Sequence, residues 1–326
     1  MKKILITGIT GFVGSHLADY LLGLGERGLE VHGTRRWRSP MDNIAHIADK
    51  LCLHYCELSD SKSVYDTVAT IRPDVIFHLA AQSYVVTSFD APVHTLETNI
   101  CGTVNLLEAV RHAAIDPVIH ICSSSEVYGQ VKEDEVPIKE SQPFRPASPY
   151  AVSKVGEDMI AFQYFLSYGI KTIRTRMFTH TGPRRGEIFA ASAFARQIAR
   201  IEAGLQEPVV RVGNLASVRT FADVRDTVRA YWILVQKCPA GEVYNIGGSR
   251  TMTVGDALNM LLGLSPRKGD IEVVVDKTLL RPSDVTLQIP DCTKFRQATG
   301  WEPEIPVEKT FGDLLAYWRA RTPKAR

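Results

Sequence analysis

The sequence predicts an α/β protein: a doubly wound parallel sheet followed by a smaller mixed α/β C-terminal domain. Two observations carry this expectation. Short β-branched runs alternate with helix-length stretches through the first half, and the N-terminal run leads directly into a glycine loop and an apolar helix. Strand–helix alternation implies right-handed crossovers, and therefore parallel strands covered on both faces. Strands are expected over residues 3–7, 30–34, 51–55, 75–78, 118–122 and 171–175, where β-branched and aromatic side chains concentrate. Helices are expected over 12–24, 61–71, 92–113 and 149–167. Beyond residue 177 the pattern loosens, with strands near 209–212, 243–245 and 271–275 and helices over 192–203, 224–236, 254–262 and 307–319. No repeat, low-complexity segment or long linker divides the chain, so its two parts are expected to pack tightly.

Composition narrows the function classes. With 326 residues, 45% of them apolar and 23% charged, the chain fits a globular protein with a sizeable core and not a disordered or collagen-like one. A balance of 38 basic against 36 acidic side chains gives no electrostatic reason to bind nucleic acid or an anionic membrane. No apolar run approaches the roughly 20 residues that span a bilayer. The chain opens Met-Lys-Lys and enters a strand at once, with no secretory leader pattern. Its six scattered cysteines form no CxxC pair, as expected of reduced thiols in the cytoplasm. Cys52, His54 and Cys56 alternate along one strand, but three such side chains fall short of a four-ligand zinc shell. They are read as core residues, and no metal is expected.

Three motifs carry chemistry. Gly8, Gly11 and Gly14 follow a GxxGxxG spacing between the first strand and helix. Gly8 permits the tight turn, Gly11 the approach of a pyrophosphate, and Gly14 close helix–strand packing. The helix N-terminus adds free N–H groups for phosphate. The triplet alone also fits a ligand-free turn, but strand, loop and helix in this order mark a Rossmann-type dinucleotide site. After the second strand stand Arg35, Arg36 and Arg38 with no acid among them. Guanidinium forks suit a 2′-phosphate, so NADP is favoured over NAD. Tyr150 and Lys154 form a YxxxK pair, one turn apart on one helical face, where an ammonium lowers the pKa of a phenol. Ser124 and Glu126 follow the strand at 118–122, and open α/β sheets bind ligands outside the carboxyl ends of their strands. The run 182–187, Gly-Pro-Arg-Arg-Gly-Glu, reads as a solvated loop or an anion-binding segment.

With these motifs the chain resembles the extended short-chain dehydrogenase/reductase family over nearly its whole length. Within that family it looks most like two neighbouring branches, the GDP-mannose 4,6-dehydratases and the GDP-4-keto-6-deoxymannose reductases. Arg35-Arg36, Leu53-His54-Tyr55 with Leu58-Ser59-Asp60, Ala80-Ala81-Gln82-Ser83 and Ser123-Ser124-Ser125-Glu126 look like the dehydratase branch. Val212-Gly213-Asn214-Leu215, Arg219-Thr220-Phe221 and Gly300-Trp301-Glu302-Pro303 look like the reductase branch, and Arg281-Pro282-Ser283-Asp284 matches both. The chain departs from the usual pattern at Ser124, where the dehydratases have threonine, and at Thr179, where both branches tend to have asparagine.

The resemblance implies an NADP site lined by Gly8, Gly11, Phe12, Val13, Gly14, Arg35, Arg36, Glu57, Leu58, Leu79, Ala80, Ala81, Tyr150, Lys154 and His180. It implies a GDP-sugar site at Ser83, Ser124, Thr179, Arg219, Arg281 and Asp284, and catalysis by Ser124, Glu126, Tyr150 and Lys154. The cofactor domain would take residues 1–176 and about 215–248, and the sugar-nucleotide domain 177–214 and 249–326. A carboxylate is needed for elimination and not for simple reduction, so Glu126 favours the dehydratase. The 4-keto reductase is the alternative, and a non-catalytic NADP-binding sensor stands behind it. The two long helices imply a homodimer, and the 182–187 loop suggests a homotetramer.

Overall fold

The computed structural model describes residues 1–26 and 28–323. Its strands are β1 (Lys2–Thr7), β2 (Leu29–Arg35), β3 (Cys52–Tyr55), β4 (Val75–His78), β5 (Val118–Ser124), β6 (Thr172–Met177), β7 (His180–Thr181), β8 (Val209–Val212), β9 (Val218–Asp223), β10 (Val243–Ile246), β11 (Arg250–Thr253), β12 (Glu272–Val275) and β13 (Leu287–Gln288). The helices are α1 (Phe12–Gly23), α2 (Ser61–Ile71), α3 (Val85–Asp90), α4 (Pro92–Leu96), α5 (Gly102–His112), α6 (Pro149–Tyr168), α7 (Ala190–Glu202), α8 (Val224–Lys237), α9 (Val254–Gly263), α10 (Thr293–Thr299) and α11 (Val307–Arg321).

Seven strands form one sheet in the order β10-β6-β5-β4-β1-β2-β3, every pairing parallel. The order reverses between β1 and β4, the switch point at which doubly wound sheets bind ligands. Buried side chains of β1 and β2 pack with α1 and α8 in one apolar cluster, while β5 packs with α2, α5 and α6 in another. Both faces are therefore covered, which is why β4 reads Val-Ile-Phe-His without a polar alternation. The smaller layer joins β11, β9, β13 and β7 in a second sheet, pairs β12 with β8, and buries α7, α9 and α11 against one another.

The structure breaks the expected helix at 92–113 into α4, a widened π-helical turn over Glu97–Cys101, and α5. The cause lies at Asn99, which is fully buried. Its Oδ1 accepts from the Gln82 N–H at 2.8 Å, and its Nδ2 donates to the Gln82 carbonyl at 3.0 Å and to Ser153 Oγ at 2.8 Å. These bonds tie the widened turn to the loop after β4 and to α6, a known use of π-bulges near functional sites. Strands β7, β9, β11 and β13 were not expected. They are short, and each exists through pairing with residues distant in the chain.

Helix α6 is fixed to the sheet by charge. Asp158 accepts from Arg174 at 3.0 Å and from Arg176 at 2.8 Å, with all three side chains buried. Such a cluster sets orientation strictly, because an unpaired buried charge is costly.

Candidate active site

The loops after β1, β2 and β4 meet at the carboxyl edge of the sheet. Gly8 has φ +69°, and a Cβ there would lie 3.0 Å from the Ala80 Cα. A Cβ on Gly14 would lie 2.5 Å from the Gly8 carbonyl oxygen, so no side chain fits between loop and helix. The Gly8 N–H donates to Thr34 Oγ1 at 3.2 Å, and the N–H groups of Leu79 and Ala80 both donate to Thr7 Oγ1. Thr7 in turn donates to His78 Nδ1, whose other ring nitrogen meets Thr103 Oγ1 at 3.1 Å, and Thr103 donates to the Asn99 carbonyl. This directional chain links the glycine loop to the widened turn. Burial pushes the His78 pKa down to about 3, so the imidazole stays neutral within it.

Helix α1 starts at Gly11 without a side-chain cap, leaving the first-turn N–H groups, those of Phe12 and Val13 included, free for an anion. The Arg35 guanidinium donates to the Tyr55 hydroxyl at 2.6 Å and stacks on that ring at 4.3 Å, while Arg36 is exposed. Neither is paired with a carboxylate among the described residues. Glu57 is exposed and accepts from Ser59, and Leu58 is buried under Gly102. His180 stacks on Phe12, the ring centroids 5.8 Å apart and 11° from parallel. Its Nδ1 faces the Phe178 carbonyl at 3.1 Å, which leaves Nε2 as an acceptor. Burial lowers its pKa to about 3.

Arg185 stands in the run 182–187, which the sequence allows as a solvated loop or an anion-binding segment. Its guanidinium lies 3.5 Å over the Phe189 ring and 4.9 Å from the Phe12 ring, and burial lowers its pKa to about 10. No carboxylate pairs with it among the described residues; it faces the phenol groups of Tyr150 and Tyr84. A half-buried cation without a carboxylate partner among the described residues, beside a glycine cradle and an uncapped helix, fits a dinucleotide diphosphate. The residues present therefore fit NADP.

Ser124 ends β5 and Glu126 sits in the following 3-10 turn, Ser125–Tyr128. The Glu126 N–H donates to Ser124 Oγ at 3.2 Å, which fixes the turn. Ser148 caps α6 by accepting from the Ala151 N–H at 3.1 Å, and Pro149 stands at its first position, so the sequence Ser-Pro-Tyr places Tyr150 in the first turn. Lys154 Nζ lies 5.9 Å from the Tyr150 ring centre and donates to the Cys122 carbonyl at 2.9 Å and Glu157 Oε2 at 2.8 Å. Burial raises the Tyr150 pKa; the Lys154 charge and the Ser124 hydroxyl pull it back down without cancelling burial. The sign expected from the YxxxK spacing belongs to one of these opposing effects. Glu126 is approached by Gln288 Nε2 at 3.4 Å and faces the Arg219 guanidinium.

Arg219 is buried on β9, donating to the Val218 carbonyl at 2.9 Å and to the Val285 carbonyl, with Asp284 Oδ1 3.9 Å away. Asp284 accepts from Asn214 at 2.7 Å and Ser217 at 3.1 Å, and half-buried Arg281 faces Arg219. The structure thus brings Arg219, Arg281 and Asp284 together and sets them beside Glu126 and the turn that follows Ser124. Thr179 lies between β6 and β7, its carbonyl accepting from the Ala222 N–H, while Ser83 is exposed on the loop after β4. Ala81 is half-buried on that same loop. The sequence alone does not mark Asn99, His78 and Gln288, whose partners lie far along the chain, or Glu157, which bonds Lys154 three residues away and owes its role to burial.

The alternating trio on β3 separates. Cys56 lies past the strand end, buried with Leu58 and Val64. His54 Nε2 meets His32 Nδ1 at 3.0 Å, and exposed Cys52 donates to Glu30, whose carboxylate lies 3.0 Å from His32 Nε2. The ligand atoms of Glu30, His32 and Cys52 fall within 4.8 Å of one another, one ligand short of a structural zinc shell.

A glycine-cradled, arginine-flanked cofactor cleft with serine, tyrosine and lysine at its centre defines a short-chain dehydrogenase/reductase of the extended type. The chain belongs to the GDP-mannose 4,6 dehydratase family, whose model matches residues 5–314. It is 35% identical to a GDP-mannose 4,6-dehydratase of Yersinia enterocolitica, over 97% of this chain and 93% of that protein. It is 31% identical to the GDP-6-deoxy-D-mannose reductase of Pseudomonas aeruginosa, over 98% of each. The structure of RMD from Pseudomonas aeruginosa complexed with NADPH superposes with a TM-score of 0.83 at 31% identity, covering 99% of this chain and 100% of that one. No described helix is long and apolar enough to cross a membrane.

Proposed function

We propose that this protein is an NADP-dependent GDP-mannose 4,6-dehydratase, a lyase that forms GDP-4-keto-6-deoxymannose. The observation that carries the reading is Glu126, a carboxylate set two residues after Ser124 and beside Arg219. Hydride transfer alone needs a hydroxyl, a phenol and an ammonium; only the loss of water needs a further base.

Gly8, Gly11, Phe12, Val13, Gly14, Arg35, Arg36, Ala80, Lys154, His180 and Arg185 would hold the cofactor. When bound, NADP would supply the hydride acceptor for C4 of the hexose and the hydride donor for C6. Tyr150 takes the C4 hydroxyl proton, and Ser124 hydrogen-bonds the C4 oxygen. The C4 ketone acidifies the C5 proton; Glu126 removes it and passes it to the C6 hydroxyl, which departs as water, and Tyr150 gives the proton taken from the C4 hydroxyl to C5 as hydride reaches C6. Lys154 holds its positive charge near the Tyr150 phenol throughout, favouring the phenolate. Arg219 and Arg281 suit the substrate diphosphate, and Asp284 a ribose hydroxyl. We assign residues 1–176 and about 215–248 to the cofactor domain and the remainder to the sugar-nucleotide domain.

Exposed apolar side chains on α3, α4 and α6 (Val86, Val93, Val152, Met159 and Leu166) support a homodimer through these helices. Six free cysteines support a reducing compartment, the cytoplasm. The near-complete two-way match to the Pseudomonas aeruginosa reductase favours 4-keto reduction as the second reading.

Purified protein incubated with GDP-mannose and substoichiometric NADP⁺ tests both. A product lighter by one water, with no net change in cofactor, supports the dehydratase. Absence of product, with NADPH consumed on the 4-keto-6-deoxy sugar, replaces it by the reductase. Glu126→Gln should lower dehydration about 10²–10⁴-fold, the usual worth of a general base, while NADPH affinity stays unchanged.

A further inference from the structure

The Lys154 ammonium is almost wholly removed from water. Its side chain is 6% exposed, and its two acceptors are the Cys122 carbonyl and Glu157 Oε2. Glu157 is 1% exposed, and its other oxygen, Oε1, is buried with no partner at all. The neighbouring Asp158 differs: both its oxygens are held by Arg174 and Arg176, so it serves the packing of α6. Glu157 contacts no cation except Lys154 among the described residues.

The surroundings offer no other negative charge. On α6 itself the pair faces Tyr150 and Asp158, the latter already committed to two arginines. From β5 it faces Cys122 and His120, from β4 His78, and beyond Cys122 lies Tyr231 of α8. The thiol and both phenols are pushed up by burial and both imidazoles down, so all are neutral near neutrality. A buried lysine without a counter-ion drops its pKa by several units.

We propose that Glu157 is a positioning residue that keeps Lys154 charged through neutral and alkaline pH. It also orients the ammonium: Glu157 and the Cys122 carbonyl engage two of its three N–H donors, leaving the third for the cofactor ribose. This rests on the reading of Lys154 as a cofactor-binding and phenol-activating residue, and not on the identity of the sugar.

The test is NADPH affinity, followed by fluorescence from pH 7 to 9, in the full-length protein and in Glu157→Gln. Burial pushes the Glu157 carboxyl up to about 7 against the pull of Lys154, so the wild type should level off by about pH 8 and stay flat to pH 9. Glu157→Gln should bind about as well at the acid end and about tenfold more weakly at the alkaline end, as one charge-assisted hydrogen bond to the ribose is lost. Glu157→Asp, which restores the charge, should recover the flat profile. A Glu157→Gln profile parallel to the wild type overturns the proposal, whatever its absolute affinity, because a purely structural role would weaken binding equally at all pH values. If Glu157→Gln does not fold, Lys154→Met/Glu157→Gln decides. Recovery of the fold without the lysine shows that the uncompensated ammonium was the cause, and failure to recover overturns the proposal. NADPH binding without activity on GDP-mannose would remove the substrate reading and leave this test intact.

Discussion

Replacing Asn99 should loosen the cofactor cleft at a point that touches neither ligand. Its amide holds both polar groups of the Gln82 backbone and the Ser153 hydroxyl. In Asn99→Ala the Gln82 N–H and C=O lose their partners in a half-buried loop, while Ser153 keeps its bond to the Tyr150 carbonyl at 2.7 Å. Two orphaned groups at about 1–3 kcal/mol each, with part of that recovered by water, give a loss near 3 kcal/mol. At roughly 2 °C per kcal/mol for a chain of this size, Tm should fall by about 6 °C. Asn99→Asp should be worse, although it keeps the acceptor for the Gln82 N–H. Its second oxygen would face the Gln82 carbonyl and the Ser153 oxygen, and the charge would be buried without a cation. Urea unfolding with an unchanged m-value measures both variants, and NADPH titration should show weaker binding as the loop carrying Ala80 and Ala81 relaxes. An Asn99→Asp variant as stable as the wild type would refute the directional bonding assigned to this turn.

Other outcomes follow from the same physical terms. Arg35→Ala/Arg36→Ala should weaken NADP binding about 10–100-fold and leave NAD binding nearly unchanged, as measured by competitive titration, because two charge-assisted phosphate contacts are removed. Asp158→Asn should cost about 3–5 kcal/mol in urea unfolding, since Arg174 and Arg176 would be left without their counter-charge. Stability should fall with pH below 6.5. Burial lowers the pKa of His16 to about 4 and those of His78, His120 and His180 to about 3, so the unfolded chain binds more protons than the folded one between these values and 6.5. Each buried imidazole should therefore cost about 1 kcal/mol between pH 6.5 and 5.5, a window above the ordinary carboxylate range. A flat urea midpoint across that window would show that these histidines take up protons in the folded protein.

Much of the site was legible because the chemistry is encoded locally. The glycine spacing works through one turn of backbone, Ser148-Pro149 starts α6 by local capping, and Tyr150 and Lys154 share a face by helical geometry alone. Repeated strand–helix alternation likewise dictates a parallel sheet, whatever the details of packing. Arg219 and Asp284 were found only through family resemblance, since 65 residues separate them and no local rule joins β9 to the loop before β13. The helix expected over 92–113 failed at Asn99 because its widened turn answers to a loop and a second helix, not to its own neighbours.

The sequence by itself determined the fold class, the cofactor cradle and the serine–tyrosine–lysine set, each a matter of short-range spacing. Tertiary structure alone decided their electrostatics. Burial reversed the net shift on Tyr150, kept four imidazoles neutral, left Arg185 without a carboxylate partner among the described residues, and set Glu157 against Lys154 in a space nearly closed to water. Spacing fixes which groups can meet, but a charge is stabilised or suppressed by how much solvent the whole fold removes from around it.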